Sequence, residues 1–266
     1  MDTSSPPILR NKKYDHLSLF EPENMLREAR RQNNISEGQM PHICILDPDG
    51  DILEYLLADN SAILNSSWAC YHSKLYNFEY AGIELGNIGC AVGSSFAVLI
   101  AEELFVSGCQ LLISVTSSGL ILPKQKPPFF VLIERALRDE GTSYHYMKPS
   151  DYSYIDKQFL EMLDNAFAEL TIPVSRGSTW TTDAPFRETA VAIEYAKSQG
   201  ILAVEMEASA LYAFAQACKK PVICFAHVTN QMGSIEGDFE KGEANGSRDA
   251  LKLVAATAKA WLSTSV

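Results

Sequence analysis

Residues 89–119 read GCAVGSSFAVLIAEELFVSGCQLLISVTSSG. The stretch opens at the end of an apolar run, Ile83–Cys90, and passes through a short AVGSS turn. A helix is expected from about Phe96 to Ser107, with Gly108 ending it, because glycine accepts the left-handed backbone that closes a helix. A second apolar run, Leu111–Val115 (LLISV), follows and stops at the hydroxyl-rich Thr116-Ser117-Ser118-Gly119. Strand, helix and strand in direct succession argue for an α/β layer fold.

The same alternation continues on both sides. Strands are expected at His42–Leu46, Phe129–Ile133, Ile201–Val204 and Val222–His227. Helices are expected at about Ile52–Leu57, Ile155–Leu170, Arg187–Gln199, Ser209–Cys218 and Asp249–Ser263. The expected architecture is a single α/β domain over residues 41–266, three layers deep, with a mixed and largely buried central sheet flanked by helices. In such sheets, polar residues just past the strand C-termini line the ligand crevice. That rule selects the loops after Leu46, Cys90, Val115, Val204 and Val228. Residues 1–40 are polar, with a short helix expected at Glu21–Gln32, and form an arm too poor in apolar residues to fold alone. The arm should lie on the body or reach a neighbouring subunit.

Composition narrows the function classes. The formal net charge of −11 disfavours nucleic acid and anionic membrane surfaces, which require clustered Lys and Arg. No uncharged apolar stretch is long enough to span a bilayer, and the first residues carry no secretory h-region. The six cysteines follow no CxxC or Cys/His ligand spacing, which is the pattern of free thiols in a reducing, cytoplasmic compartment and predicts neither metal nor disulfide framework. No cofactor is expected: AVGSS lacks the Lys of a P-loop, and no G-x-S-x-G elbow occurs.

Three segments carry candidate chemistry. In Val204-Glu205-Met206-Glu207-Ala208-Ser209, two carboxylates flank a Met where a strand enters an apolar helix. They suit the helix dipole as a plain helix start. Glu207, however, precedes small and apolar residues, and a partly buried carboxylate needs donors such as sugar hydroxyls. The loop Gly177–Thr189 (GSTWTTDAPFRET) brings Trp180, Phe186 and Arg187 together: rings that could stack on a planar base and a guanidinium that could bond its carbonyl. Its plainer reading is Thr182 or Asp183 as a helix cap, with Arg187 on the surface. The third segment, Ser114-Val115-Thr116-Ser117-Ser118-Gly119, offers hydroxyls and N–H groups to an anion or sugar, or is simply a strand-to-loop turn. His145 and His72 are weaker candidates for the pocket wall and for a local cation.

Together these segments resemble the nucleoside phosphorylase superfamily, which includes purine nucleoside and uridine phosphorylases and related nucleosidases. The resemblance covers roughly residues 40–264. It rests on VEMEASALYAFA, similar to the family's ribose-binding motif, on the strand–helix–strand of residues 89–119, and on the Gly177–Thr189 segment. It implies that Met206 and Glu207 contact the ribose, that Trp180 packs on the base, and that Ser117 lies on the nucleophile side of the sugar, with Ser114 and Thr116 on the same strand end. Asn230 falls where purine-specific members carry an Asp and uridine-type members an Asn.

The phosphate site departs from the family pattern. Phosphorylases place a Gly-Asp-Pro-x-x-Arg-like loop after the first strand, whereas this chain has Asp47-Pro48-Asp49-Gly50-Asp51. They also place an Arg at the position of Ser114 and a neighbour's Arg near Tyr71 or His72. With all three cations replaced, three carboxylates would repel a phosphate dianion. The resemblance therefore implies cleavage of a nucleoside's N-glycosidic bond, with hydrolysis as the main reading: Asp49 or Asp51 activates water, Asp51 being the weaker candidate because it could cap the following helix. Phosphorolysis with rearranged anion ligands (His72, Lys74 or Arg10) and ligand binding without turnover are the alternatives. The expected partners are a nucleoside, water or phosphate as co-substrate, and further copies of the chain in a dimer or hexamer.

Overall fold

The strand that follows Gly108 fixes the centre of the molecule. In the computed structural model, which describes residues 5–232 and 236–264, it runs over ten residues, Leu111–Leu120, and is buried along nearly its whole length. Numbered in chain order, the strands are β1 Ile43–Asp47, β2 Ala62–Leu64, β3 Tyr76–Tyr80, β4 Ile83–Gly89, β5 Leu111–Leu120, β6 Phe129–Asp139, β7 Tyr152–Tyr154, β8 Val174–Thr182, β9 Ile201–Glu205 and β10 Val222–Asn230. The helices are α1 Pro22–Asn33, α2 Asp51–Ala58, α3 Ser94–Val106, α4 Ser143–Tyr146, α5 Lys157–Met162, α6 Ala190–Ser198, α7 Ala208–Cys218 and α8 Ser247–Thr264.

All ten strands join one mixed sheet, in the order β10-β6-β8-β9-β5-β1-β4-β3-β2, with β7 on the side of β6. A further pairing of β10 with β5 closes the run β5-β10-β6-β8-β9 into a ring. Two groups of helices flank the sheet: α1, α3, α4 and α7 pack together, as do α2, α5 and α8. Both kinds of layer meet in a single large apolar core. Tyr212 of α7 ties the layers. Its fully buried hydroxyl donates to the Ile133 carbonyl of β6 at 2.6 Å and accepts the Cys224 N–H of β10 at 3.1 Å.

The register brings the polar strand ends together. Ser117 pairs with His227, and Gly119 with both Asn230 and Val204. The C-terminal ends of β5 and β10 therefore run side by side, with β9 meeting them at Gly119.

Several elements differ from the sequence expectation. Gly177–Thr182, expected as loop, belongs to β8, and β5, β6 and β10 run beyond their apolar stretches because neighbouring strands pair with the polar residues too. The helix expected to reach Leu170 ends at Met162, where Asp164 and Asn165 favour turns. Neither Thr182 nor Asp183 caps α6: Thr189 does, its hydroxyl accepting the Ala192 N–H.

The arm lies on the body. Leu26 and Ala29 of α1 are buried beside Ala69, and the Arg30 guanidinium donates to the carbonyls of Ser36 and Ser67. Farther back, Lys12 bonds His145, and Tyr14 donates to the Tyr144 carbonyl. Among the described residues, no helix is long and apolar enough to cross a membrane.

Candidate active site

The turn from β9 into α7 carries two glutamates in different circumstances. The first N–H groups of a helix lack partners within it, and they favour an anion. Glu205 supplies that anion. One carboxylate oxygen accepts the N–H groups of Glu207 and Ala208, both at 2.7 Å. The other accepts the hydroxyls of Thr181 and Thr179, at 2.5 and 3.1 Å, from β8 next door. Glu205 is thus saturated with donors inside the protein.

Glu207 has room for more. It is 1% exposed, and its Oε1 accepts the Gly93 N–H at 2.7 Å while Oε2 accepts the Thr116 hydroxyl at 2.9 Å. Gly93 can present that N–H because its φ is +93°, where a side chain would be strained. Burial, with the charge of Glu205 adding to it, pushes the Glu207 carboxyl up to about 8. Met206 is fixed alongside, its carbonyl accepting the Ser94 hydroxyl at 2.8 Å.

The DPDGD loop divides its acids by task. Asp47 is buried, and its carboxylate accepts the N–H groups of Gly50 and Leu53, at 3.1 and 2.9 Å. Asp47 therefore secures the start of α2, the role expected of Asp51, and burial raises its carboxyl to about 7. Asp51 instead forms an ion pair with Lys241. Asp49 reaches the end of β5, where its Oδ2 accepts the Ser117 N–H at 2.7 Å.

Between these groups lies a cavity of about 20 Å³. Asp47, Asp49, Asp51, Thr116, Ser117 and His227 contribute to its wall, together with Gly246 and Ser247 at the entry to α8; among the described residues no Lys or Arg does. Thr116 lines this cavity and also bonds Glu207, so the two are immediate neighbours. His227 is a further wall residue that the sequence reading passed over. Its ring stacks on Phe130 at 4.5 Å, and its Nε2 is buried without a partner among the described residues. Burial, assisted by the charge of Lys241, pushes the imidazole down to about 4.

At the opposite end of the strand tips, Gly119, Val204, Met232 and Asn230 converge. A methyl group at Gly119 would come within 2.5 Å of the Met232 sulfur and 3.4 Å of the Asn230 carbonyl oxygen. The Asn230 amide donates to the Thr229 hydroxyl at 3.2 Å and accepts the Met232 N–H at 2.9 Å.

Sequence candidates outside this cluster are placed differently. Trp180 is buried in a small apolar cluster with Ile121 and Val204, its indole N–H donating to Asp139 at 3.0 Å. Phe186 is fully exposed, and Arg187 shares its short 3-10 turn on the surface. His145 is exposed and bonded to Lys12 at 2.8 Å, and His72 is exposed beside Tyr71. The Ser114 hydroxyl is buried within β5 and has no partner. Among the described residues, no group of three or more His, Cys, Asp or Glu is placed to hold a metal ion.

Chemically, the cluster offers a buried carboxylate whose own donors are two N–H groups and one hydroxyl, next to an acid-lined cavity whose wall includes Thr116. Such a carboxylate binds hydroxyl donors and stabilises positive charge developing beside it.

Comparison with known proteins shows the family. Residues 43–261 match the family model described as the phosphorylase superfamily. The chain is 23% identical to a guanosine phosphorylase of Halorubrum lacusprofundi over 68% of its own length and 75% of the relative's. It is 25% identical to a uridine phosphorylase of Thermococcus kodakarensis, over 82% and 88% of the two chains. Among solved structures, a uridine phosphorylase from Vibrio fischeri superposes with a TM-score of 0.69 at 19% identity, covering 88% of this chain and 93% of the other. The matched segment takes in every strand from β1 to β10 and all the clustered residues above, and the chain belongs to the phosphorylase superfamily.

Proposed function

We propose that this protein is an enzyme that cleaves the N-glycosidic bond of a nucleoside or a close analogue. The observation that carries this reading is Glu207, a buried carboxylate held by Gly93 and Thr116, the latter also lining the acid-walled cavity. Cleavage builds positive charge on the sugar and negative charge on the departing base. Glu207, kept ionised by donated sugar hydroxyls, would stabilise the first, and the Asn230 amide would bond the second.

The acceptor of the sugar is a finer question. The relatives are phosphorylases by name, and that supports phosphate over the hydrolysis expected from sequence. The charge of this chain's own cavity supports water. Among the described residues its wall holds three aspartates without a Lys or Arg, and the Asp49 carboxylate occupies the Ser117 N–H that an incoming anion would use. For this chain we favour water. Its oxygen bonds the anomeric carbon, the C–N bond breaks with its electron pair going to the base, and the water's proton passes to Asp49.

A panel of nucleosides incubated with and without phosphate tests both levels. Release of free base supports glycosidic cleavage, and a panel with no release removes it. Free pentose formed without phosphate supports hydrolysis. Strict phosphate dependence with a pentose 1-phosphate product establishes phosphorolysis, and Lys241, the cation paired with Asp51, then becomes the first residue to examine.

A further inference from the structure

His227 has no part in the chemistry described so far, yet its surroundings are costly to build. It is 5% exposed on β10, level with Ser117 of β5. Phe130 stacks on its ring at 4.5 Å. Next to its Cε1 and Nδ1 atoms runs Gly246, the last of three consecutive residues with left-handed backbone, Ala244, Asn245 and Gly246. Gly246 is required there, since a methyl group at that position would lie 2.2 Å from the imidazole Cε1. Such conformations persist where the surrounding structure enforces them. The ring so held forms part of the cavity wall that Asp49 and Ser117 share, and its Nε2 is buried with no partner among the described residues. Leaving a buried polar atom unpartnered is costly, so a group seated this firmly should have a partner. A cavity of about 20 Å³ holds one water molecule.

We infer that His227 is a positioning residue that binds the attacking water through Nε2, while Asp49 takes that water's proton. Burial keeps the imidazole neutral across the physiological range. It therefore directs a water without competing with Asp49 for the proton, although Asp49, Asp249 and Lys241 all act on it. The assignment rests on the hydrolytic reading above, and it adds a residue that the family resemblance did not supply.

The test compares wild-type protein with His227→Phe, which keeps the stack on Phe130 and removes both nitrogens, and with His227→Gln, whose amide can replace one of them. In phosphate-free buffer, His227→Phe is expected to lower kcat on the best nucleoside by ~10- to 100-fold, the effect of losing orientation, with KM within about threefold. His227→Gln is expected to recover most of that loss. Wild-type kcat in a folded His227→Phe protein, or equal losses in both variants, overturns the assignment. High-resolution crystal structures give a readout independent of turnover. Wild-type protein should show an ordered water bonded to Nε2 and Asp49, and His227→Phe should lack it. A wild-type cavity without that water overturns the inference even if nucleosides are cleaved. If the water is present and nucleosides are not cleaved, only the proposed activity falls.

Discussion

Glu205 and Glu207 are the same residue type two positions apart, and their partners separate their roles. Glu205 receives four donors from within the protein and Glu207 three, and burial raises both carboxyls. The motif in the sequence singles out Glu207 as a candidate ligand-binding acid, and the structure buries it where β9 turns into α7. That an acid of this motif serves the start of the helix was open to the sequence, but not that Glu205 is the one with Thr179 and Thr181 as further donors, because those two come from a strand that sequence alone presented as a loop. Likewise Asp47 was hidden behind Asp49 and Asp51: nothing in DPDGD says which acid will face the N–H of Leu53. Two variants belong at this scale. Glu207→Gln should lower kcat/KM by ~10²-fold, as for other lost charge stabilisation near a cationic transition state. It should also relieve a folded-state cost. A carboxyl raised from 4.5 to about 8 contributes stability that is fully present below 4.5 and is lost as pH rises through 8. The Tm of the variant relative to wild type should therefore be higher at pH 8 than at pH 5, and a pH-independent difference would contradict the assigned shift. Asp49→Asn should abolish turnover while leaving ligand affinity within about tenfold, since the group acts mainly in the transition state. A loss of binding in calorimetry equal to the loss of rate would mean that Asp49 serves the ground state instead.

At the scale of elements, apolar runs revealed the cores of β1, β4, β5, β6, β9 and β10 but not their ends. The hydroxyl-rich tail of β5 looks like a turn by composition. It is strand because β10 pairs with it through Gly119, and β9 meets it there. Those contacts are distant in sequence, so no local signal reports them. The short β2, β3 and β7 were missed for a related reason, being held by neighbours rather than by a marked apolar pattern of their own. Trp180, read as lying in a base-binding loop, moved with the element that carries it: on β8 it is a buried strand residue bonded to Asp139. The link between α7 and the sheet gives an expectation for this level. Tyr212→Phe removes a hydroxyl that serves both the Ile133 carbonyl and the Cys224 N–H. It should cost about 1–3 kcal/mol of stability, read as a lower denaturant midpoint with unchanged m-value. A cost near zero would mean that the two backbone groups find other partners.

For the whole molecule, the single α/β body was legible from alternation and length, whereas the closure of five strands into a ring was not, because it depends on β10 pairing with β5 and β6 at once. Leu17, Leu19 and Phe20 of the arm remain strongly exposed, an apolar stretch that solvent alone does not favour. We expect it to be covered by a second copy of the chain, with a dimer as the smallest unit. Light scattering at micromolar concentration should give at least twice the chain mass, and a fully active monomer would refute this. The ring has a dynamic consequence of its own. An open sheet can lose an outer strand while the rest persists, but a closed one must break two ladders to release any member. Thr116, Glu205 and Asn230 lie on three strands of that circuit. In deuterium-exchange mass spectrometry, amides of β5, β9 and β10 should therefore exchange together and last, well after those of β2 and β3. A nucleoside bound at Glu207 should slow the whole circuit as one cooperative unit, rather than only the residues it touches.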